Sequence, residues 1–166
     1  MKEITYSTIP CSGIQCVRSL WDELRTLHHD DSVFFKDYYR SITFEKRMQK
    51  FLDLPEDRVL IDLAANGGET VGYCISSMDD DVGQIDSICI AKPFRHAGIG
   101  TKLVDRALSW LKESGCKRIQ LSVAEGHEYV IDFYKRFGFV QRMIVLEQIP
   151  DQPDRNEDTV SSPVSS

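Results

Sequence analysis

Between residues 84 and 123 the hydrophobic period of this chain changes twice, from strand to helix and back to strand. Gln84–Ala91 is a short apolar run. Gly98–Ser114 sets Ile99, Leu103, Ala107 and Leu111 on one helical face and stops at Gly115, and Lys117–Val123 is again β-rich. Two strands separated by a whole helix cannot close as a hairpin; they run parallel through a right-handed crossover. That unit dictates a sheet with helices packed on it, and the flanking pattern decides what kind of sheet.

Before the crossover the chain reads as a meander. Lys2–Ile9 alternates as a first strand, and Ser12-Gly13-Ile14-Gln15 has the form of a capping box that opens a helix to about His28 on Ile14, Val17, Leu20/Trp21, Leu24 and Leu27. A second helical stretch runs from Phe34 through Phe51 and Leu52 until Pro55 ends it. Arg58–Ala65 and Thr70–Met78 flank Asn66-Gly67-Gly68 as a hairpin. After the crossover, Gly126–Phe137 reads as helix and Phe139–Ile149 as strand. The expected class is α/β (α+β), one mixed sheet covered by helices, with a single domain over residues 1–149. The polar, acidic stretch 150–166 holds too little apolar surface to fold and is expected to be disordered.

Charge is sorted along this chain. Residues 1–91 carry 9 basic and 16 acidic side chains, whereas residues 92–142 carry 10 and 5. The overall balance of −6 argues against a nucleic-acid partner, since phosphates would be repelled at long range. No run approaches the roughly 20 apolar residues of a membrane span, and the N-terminus lacks a signal-peptide pattern. The five cysteines are odd in number and show neither CxxC nor zinc spacing, which points to free thiols in a reducing cytoplasm and to no metal.

The chemistry concentrates in Ile88–Thr101, I-C-I-A-K-P-F-R-H-A-G-I-G-T. A strand, a short loop and a helix opening on glycine make an anion site, because the first helical amides have no internal partner and point outward. Gly98 and Gly100 let a phosphate approach the backbone, and Arg95 offers a forked cation. A Rossmann fingerprint would need glycine where Leu103 stands, and Gly100-Thr101-Lys102 does not supply a P-loop.

The pattern Arg95-x-x-Gly98-x-Gly100, together with Phe133-Tyr134-Lys135-Arg136-Phe137-Gly138-Phe139, resembles the GNAT superfamily of acyl-CoA-dependent N-acetyltransferases. The likeness covers roughly residues 2–149 and leans toward the branch that acetylates small amines and polyamines. It implies a mostly antiparallel sheet whose one parallel strand pair splays apart, with the pantetheine arm of acetyl-CoA between the strands. Ile88, Cys89 and Ile90 would then line that arm, the backbone of Ile88 and Ile90 pairing with it. Arg95 and the amides of His96, Ala97, Gly98, Ile99, Gly100 and Thr101 would hold the pyrophosphate. Lys135 would add charge, and His127 stands where many members place a cofactor-contacting Asn. The resemblance also assigns Tyr134 as the acid that protonates the CoA thiolate.

An alkyl amine near pKa ~10.4 is neutral at pH 7 in only about one molecule in 10³, a penalty of roughly 4–5 kcal/mol, so a carboxylate in the site is useful. Strand alternation puts Asp86 on one face with Ile88 and Ile90 and makes it the candidate base. Many members carry Glu there, one methylene longer; Glu125 is the alternate. Acid and aromatic side chains, Trp21, His28, Asp31 and Phe35 near the first helices and Glu125 after the Lys117–Val123 strand, suit a cationic acceptor. The leading reading is therefore acetyl transfer from acetyl-CoA to a small-molecule primary amine. Protein or peptide acetylation stands second, and a non-catalytic CoA-binding interaction domain is the alternative of another class. No second strand of a terminal hairpin is evident after Phe139–Ile149; with the dimeric habit of many members, this implies a homodimer in which a partner chain completes the sheet or the acceptor site.

Overall fold

The computed structural model describes residues 3–149. Its five strands are β1 (Ile4–Ile9), β2 (Val59–Asn66), β3 (Glu69–Asp79), β4 (Val82–Ile90) and β5 (Arg118–Gln120), in that spatial order. β1 to β4 form an antiparallel meander and β4–β5 is the parallel pair, as the crossover requires. The helices are α1 (Arg18–Asp31), α2 (Lys36–Ser41), α3 (Phe44–Leu52), α4 (Ile99–Glu113) and α5 (Ile131–Lys135).

Each face of the sheet has its own apolar core. On one, Val17, Leu20, Trp21, Phe44, Met48 and Phe51 of the first helices cover Ile61, Leu63, Tyr73, Ile75 and Cys89. On the other, Ile99, Leu103, Val104, Ala107 and Leu111 of α4 cover Ala64, Val71, Cys74 and Ile85, with Tyr134 of α5 beside them. The strands between them are largely apolar on both faces, and buried Asp62, Ser77 and Ser87 are each hydrogen-bonded. The carboxylate of Asp62, buried under α4, accepts from Arg106 Nε at 2.8 Å and from Thr8 Oγ1 at 2.5 Å.

Several local expectations are revised. The Ser12–Gln15 capping box does not form: Cys11–Val17 is a 3-10 turn introduced by Pro10, and Gln15 accepts from Arg18 instead. Its helix therefore starts at Arg18 and extends to Asp31. The second helical stretch divides into α2 and α3 because Thr43 leaves helical conformation to cap α3, its side chain accepting from the Lys46 amide. The strand at 117–123 shortens to β5, and the helix at 126–137 to a 3-10 turn plus α5. Phe139–Ile149 is not a strand; among the described residues it has no partner to pair with. The tail 150–166 lies outside the described residues. All five cysteines are free: Cys74 and Cys89 are buried, Cys11 and Cys116 half-buried, and Cys16 exposed.

Candidate active site

β4 and β5 are bonded only through Val82–Arg118, Gly83–Ile119 and Gln84–Gln120. From Ile85 to Ile90, β4 has β3 on one side and no strand on the other. A run of backbone donors and acceptors thus faces a V-shaped gap that opens toward the start of α4. These groups need a partner, and an extended ligand can supply one.

Within this stretch β4 carries a bulge. Ser76 sits opposite Ile85 and Ile75 opposite Ser87, so Asp86 is the extra residue. The bulge resets the alternation. Ile88 and Ile90 face α4, whereas Asp86 turns to the α3 side with Ser87 and Cys89. Its carboxylate, with no side-chain exposure, accepts from Lys50 Nζ at 2.5 Å and from Ser77 Oγ at 2.6 Å, while Arg47 donates to its carbonyl. The face shared by Asp86, Ile88 and Ile90 therefore does not exist, and the candidate base is a buried, ion-paired group. Lys50 and Ser77 gave no sequence signal, because their partner lies on a distant strand. Nearby, the Tyr73 hydroxyl bonds Ser87 Oγ at 2.8 Å, and burial pushes the Cys89 thiol up to about 12, so Cys89 lines the region as an inert side chain.

At the open end of the gap, His96 and Gly98 both have positive φ, 64° and 80°, and Gly98 caps α4 without any side-chain capping bond. The first amides of a 15-residue helix thus project into free space, since a Cβ on Gly98 would meet nothing within 4 Å. Gly100 packs toward Phe133 and Ile90, where a Cβ would lie 3.7 and 3.8 Å from them. Residues 96–101 hence form a turn at the head of α4 whose leading helical amides have no intrahelical partner, a chemistry suited to an anion such as a pyrophosphate. Arg95 is used differently from the forked phosphate ligand expected: its Nε donates to the Ile90 carbonyl at 2.9 Å and its guanidinium pairs with Glu23 of α1 at 3.0 Å. Lys135 is likewise engaged, with Asp132 at 2.7 Å.

Tyr134 lies under the same gap. It is buried edge-on between Phe133 and Phe139, and burial, together with the nearby Cys74 thiol, raises its phenol above the usual range. Cys74 is paired with Ile88 in the sheet, which sets Tyr134 beside the unpaired stretch of β4. A phenol so placed stays protonated at neutral pH and can donate.

The loop after β5 is clasped to the end of α1. Glu125 accepts from Ser32 Oγ at 2.5 Å and from the Val33 amide at 3.0 Å, and these bonds hold its carboxyl below the usual range. Gly126, at φ 86°, lies so close to α1 that a Cβ would stand 2.4 Å from the Asp31 carbonyl oxygen. His127 is buried with Nε2 3.0 Å from Asp31 Oδ2, but no directed hydrogen bond forms there. His28 meets His127 edge-on at 4.4 Å and Tyr39 at 5.2 Å, and burial, followed by His127, lowers it to about 4. α1 is thereby tied to β4 through Glu23–Arg95 and to the β5 loop through Asp31 and Ser32, so it roofs the gap. Of the expected acceptor wall, His28, Asp31 and Glu125 converge here. Phe35 stands at the start of α2, its amide bonded to Ser32 Oγ. Trp21 is instead a core residue, edge-on to Phe44 at 5.5 Å. Among the described residues no group of three or more His, Cys, Asp or Glu converges as a metal site, and no helix is long and apolar enough to cross a membrane.

A sheet that opens beside an uncapped, glycine-led helix defines an acyltransferase-like fold, and comparison with known proteins agrees. Residues 21–139 match the Acetyltransferase (GNAT) family, and the chain belongs to that family. It is 29% identical over 119 residues to an uncharacterized N-acetyltransferase of Methanocaldococcus jannaschii, covering 68% of this chain and 52% of the relative. It is 32% identical over 83 residues to an N-alpha-acetyltransferase of Arabidopsis thaliana, covering 48% and 44%. The chain thus spans about half the length of these relatives. In fold it is similar to a PaiA N-acetyltransferase from Thermoplasma acidophilum solved in complex with coenzyme A, at TM-score 0.67 and 14% identity, covering 81% of this chain and 88% of that one.

Proposed function

We propose that this chain, acting as one unit over residues 1–149, transfers an acetyl group from acetyl-CoA to a primary amine of a small molecule by direct attack in a ternary complex. The divergence of β4 from β5 beyond Gln84, facing the bare N-terminus of α4, carries this reading. The Ile88 backbone and the Ile90 amide, which face no neighbouring strand, suit the amide groups of a pantetheine arm, and the turn at 96–101 suits the pyrophosphate. That a similar fold was solved with coenzyme A supports the same donor.

Bound acetyl-CoA supplies an activated acyl carbonyl. The chain holds it and manages protons. Tyr134, kept neutral by burial, donates its hydrogen to the departing sulfur as the carbon–sulfur bond breaks. His127 borders the far side of the gap and contacts the donor or acceptor there. Asp86 acts through structure: its pairing with Lys50 fixes the bulge that aims β4. The proton lost by the attacking amine leaves through water under α1, where Glu23, Asp31 and Glu125 favour a cationic acceptor.

The clasp between the β5 loop and the α1–α2 turn narrows the acceptor end, which favours a small amine over a polypeptide. Similarity to an N-alpha-acetyltransferase supports a second reading, acetylation of peptide N-termini. Five free cysteines favour a reducing compartment such as the cytoplasm. Incubation with acetyl-CoA and parallel panels of small amines and peptides, following free thiol and product mass, tests the reading. Thiol release with small amines supports it. Release with peptides alone supports the second, and CoA binding without release on either panel identifies a CoA-binding interaction domain instead.

A further inference from the structure

α1 lies across the gap as a beam. Its Glu23 is tied to Arg95 just beyond β4, and further along Asp31 and Ser32 meet the loop after β5. At 1.5 Å per residue the stretch from Glu23 to Asp31 covers about 12 Å. On that far side α1 meets a side chain whose hydrogen bonding is incomplete. His127 is 5% exposed, and its buried Nε2 lies 3.0 Å from Asp31 Oδ2 with no directed hydrogen bond. A native fold rarely keeps a buried polar atom unpaired, and a role in catalysis is one reason that it does. The backbone fixes the ring from both sides. The His127 amide donates to the Ala124 carbonyl at 3.0 Å, its carbonyl accepts from Val130 at 3.0 Å, and Gly126 before it is pressed against Asp31. The same segment runs on into α5 and supplies Tyr134.

The groups around the ring decide what it can do. Asp31 and His28 face it from α1, Tyr39 of α2 stands behind His28, and Glu125, Glu128 and Tyr129 belong to its own loop. Glu125 is held by Ser32 and Val33, and Glu128 by the Gly126 amide. His28, lowered to about 4 by burial and then by its neighbour His127, stays neutral. The carboxylate left to receive a positive charge on His127 is Asp31, whose side chain is 35% exposed and opens to water. Other acids near the gap are engaged, Asp86 with Lys50 and Ser77 and Glu23 with Arg95. An imidazole exchanges a proton near neutral pH, and a carboxylate beside it favours the charged form. Where many family members place an Asn, this chain therefore keeps a hydrogen-bonding group and adds the capacity to carry a proton.

On the acetyl-transfer reading, we infer that His127 is the proton acceptor for the attacking amine, and that Asp31 is the positioning residue that orients its ring through Nε2. A bound ammonium sheds two protons on its way to an amide. The first passes to Nδ1 of His127 and on to water beside Asp31, which frees the lone pair that forms the carbon–nitrogen bond. The second leaves the nitrogen as the carbon–sulfur bond breaks, and it replaces on Tyr134 the hydrogen that the sulfur takes. One proton reaches water for each thiol formed.

The full chain and its His127→Asn variant are compared with acetyl-CoA and an amine that the wild type acetylates. Asparagine keeps the hydrogen-bonding group and removes the base. Calorimetric affinity for CoA should stay within about threefold, while kcat/KM at neutral pH falls about 10²-fold. The deficit should shrink as pH rises and the amine arrives neutral, and added imidazole should restore part of the rate. Asp31→Asn should move two quantities to lower pH, because the imidazolium loses its carboxylate: the acidic limb of kcat/KM, and the NMR titration of the His127 ring in the unliganded chain. A His127→Asn rate equal to that of the wild type, or lowered by one factor at every pH without rescue, overturns the inference and leaves acetyl transfer standing. So does a loss of CoA affinity that matches the loss of rate, or a His127 titration that Asp31→Asn does not move. A wild type that binds CoA and releases no thiol on any amine overturns the acetyl-transfer reading and this inference together.

Discussion

Lys50 Nζ and the buried carboxylate of Asp86 lie 2.5 Å apart across the interface between α3 and the bulge of β4. The lysine is half exposed and the carboxylate has no side-chain exposure, so the two partners are not equivalent. Lys50→Met leaves a charge buried with only Ser77 to satisfy it and should cost about 2–4 kcal/mol. Asp86→Asn keeps a polar partner for Ser77 and should cost about 1–2 kcal/mol. Urea denaturation checks the order. The pH dependence of turnover should keep its shape in Asp86→Asn; loss of its acidic limb would restore Asp86 as the base.

Tyr134→Phe removes one hydroxyl from a position that packing already fixes. Turnover should fall by about 10²-fold, the usual scale for a lost general acid, while affinity for CoA stays within about threefold. Steady-state kinetics with calorimetric binding separates the two quantities, and equal losses in both would make Tyr134 a binding residue.

Gly126 is required by both its dihedral and its surroundings. Alanine there adopts φ near +86° and places a methyl against the Asp31 carbonyl, which must move. We expect Gly126→Ala to destabilise by about 2–3 kcal/mol and to loosen the loop from α1. Thermal unfolding reads the first effect, and faster amide exchange at Ser32 and Val33 the second.

His28 gives the fold a pH dependence whose sign is fixed. Its folded pKa, about 4, lies below the ordinary 6.5, so the unfolded chain binds the proton more readily. Stability from this site is present above pH 6.5 and is lost as pH falls toward 4. After allowance for its partial exposure, the loss is about 1–2 kcal/mol. The groups that face it are His127, Asp31 and Tyr39. His28→Gln should flatten the stability curve between pH 6.5 and 5, above the range where carboxylates titrate.

The meander, the crossover and the glycine turn were legible because each is written in neighbouring residues: an alternation, an amphipathic helix, two glycines at fixed spacing. Register was not. Alternation counted forward from Asp86 assumes a regular ladder, and one bulged residue reverses the outcome for a candidate base. Pairings between distant segments were also hidden. Arg95 with Glu23, Arg106 with Asp62 and Lys117 with Asp81 join the basic middle of the chain to its acidic first half. Part of the charge sorting thus serves the fold itself rather than a polyanionic donor or a cationic acceptor. The closing segment after Phe139 carries the apolar composition of a strand, but among the described residues it pairs with no strand of the sheet.

The bulge at Asp86 makes β4 two half-strands out of phase. Were the same residues paired without the bulge, Ile88, Ile90, Ser87 and Cys89 would exchange the sides to which they point. Two isoleucines would press into the core under α1, a hydroxyl and a thiol would turn toward α4, and the gap would keep its backbone while its walls changed character. In this protein the identity of the cleft depends on how its residues are paired as much as on which residues they are.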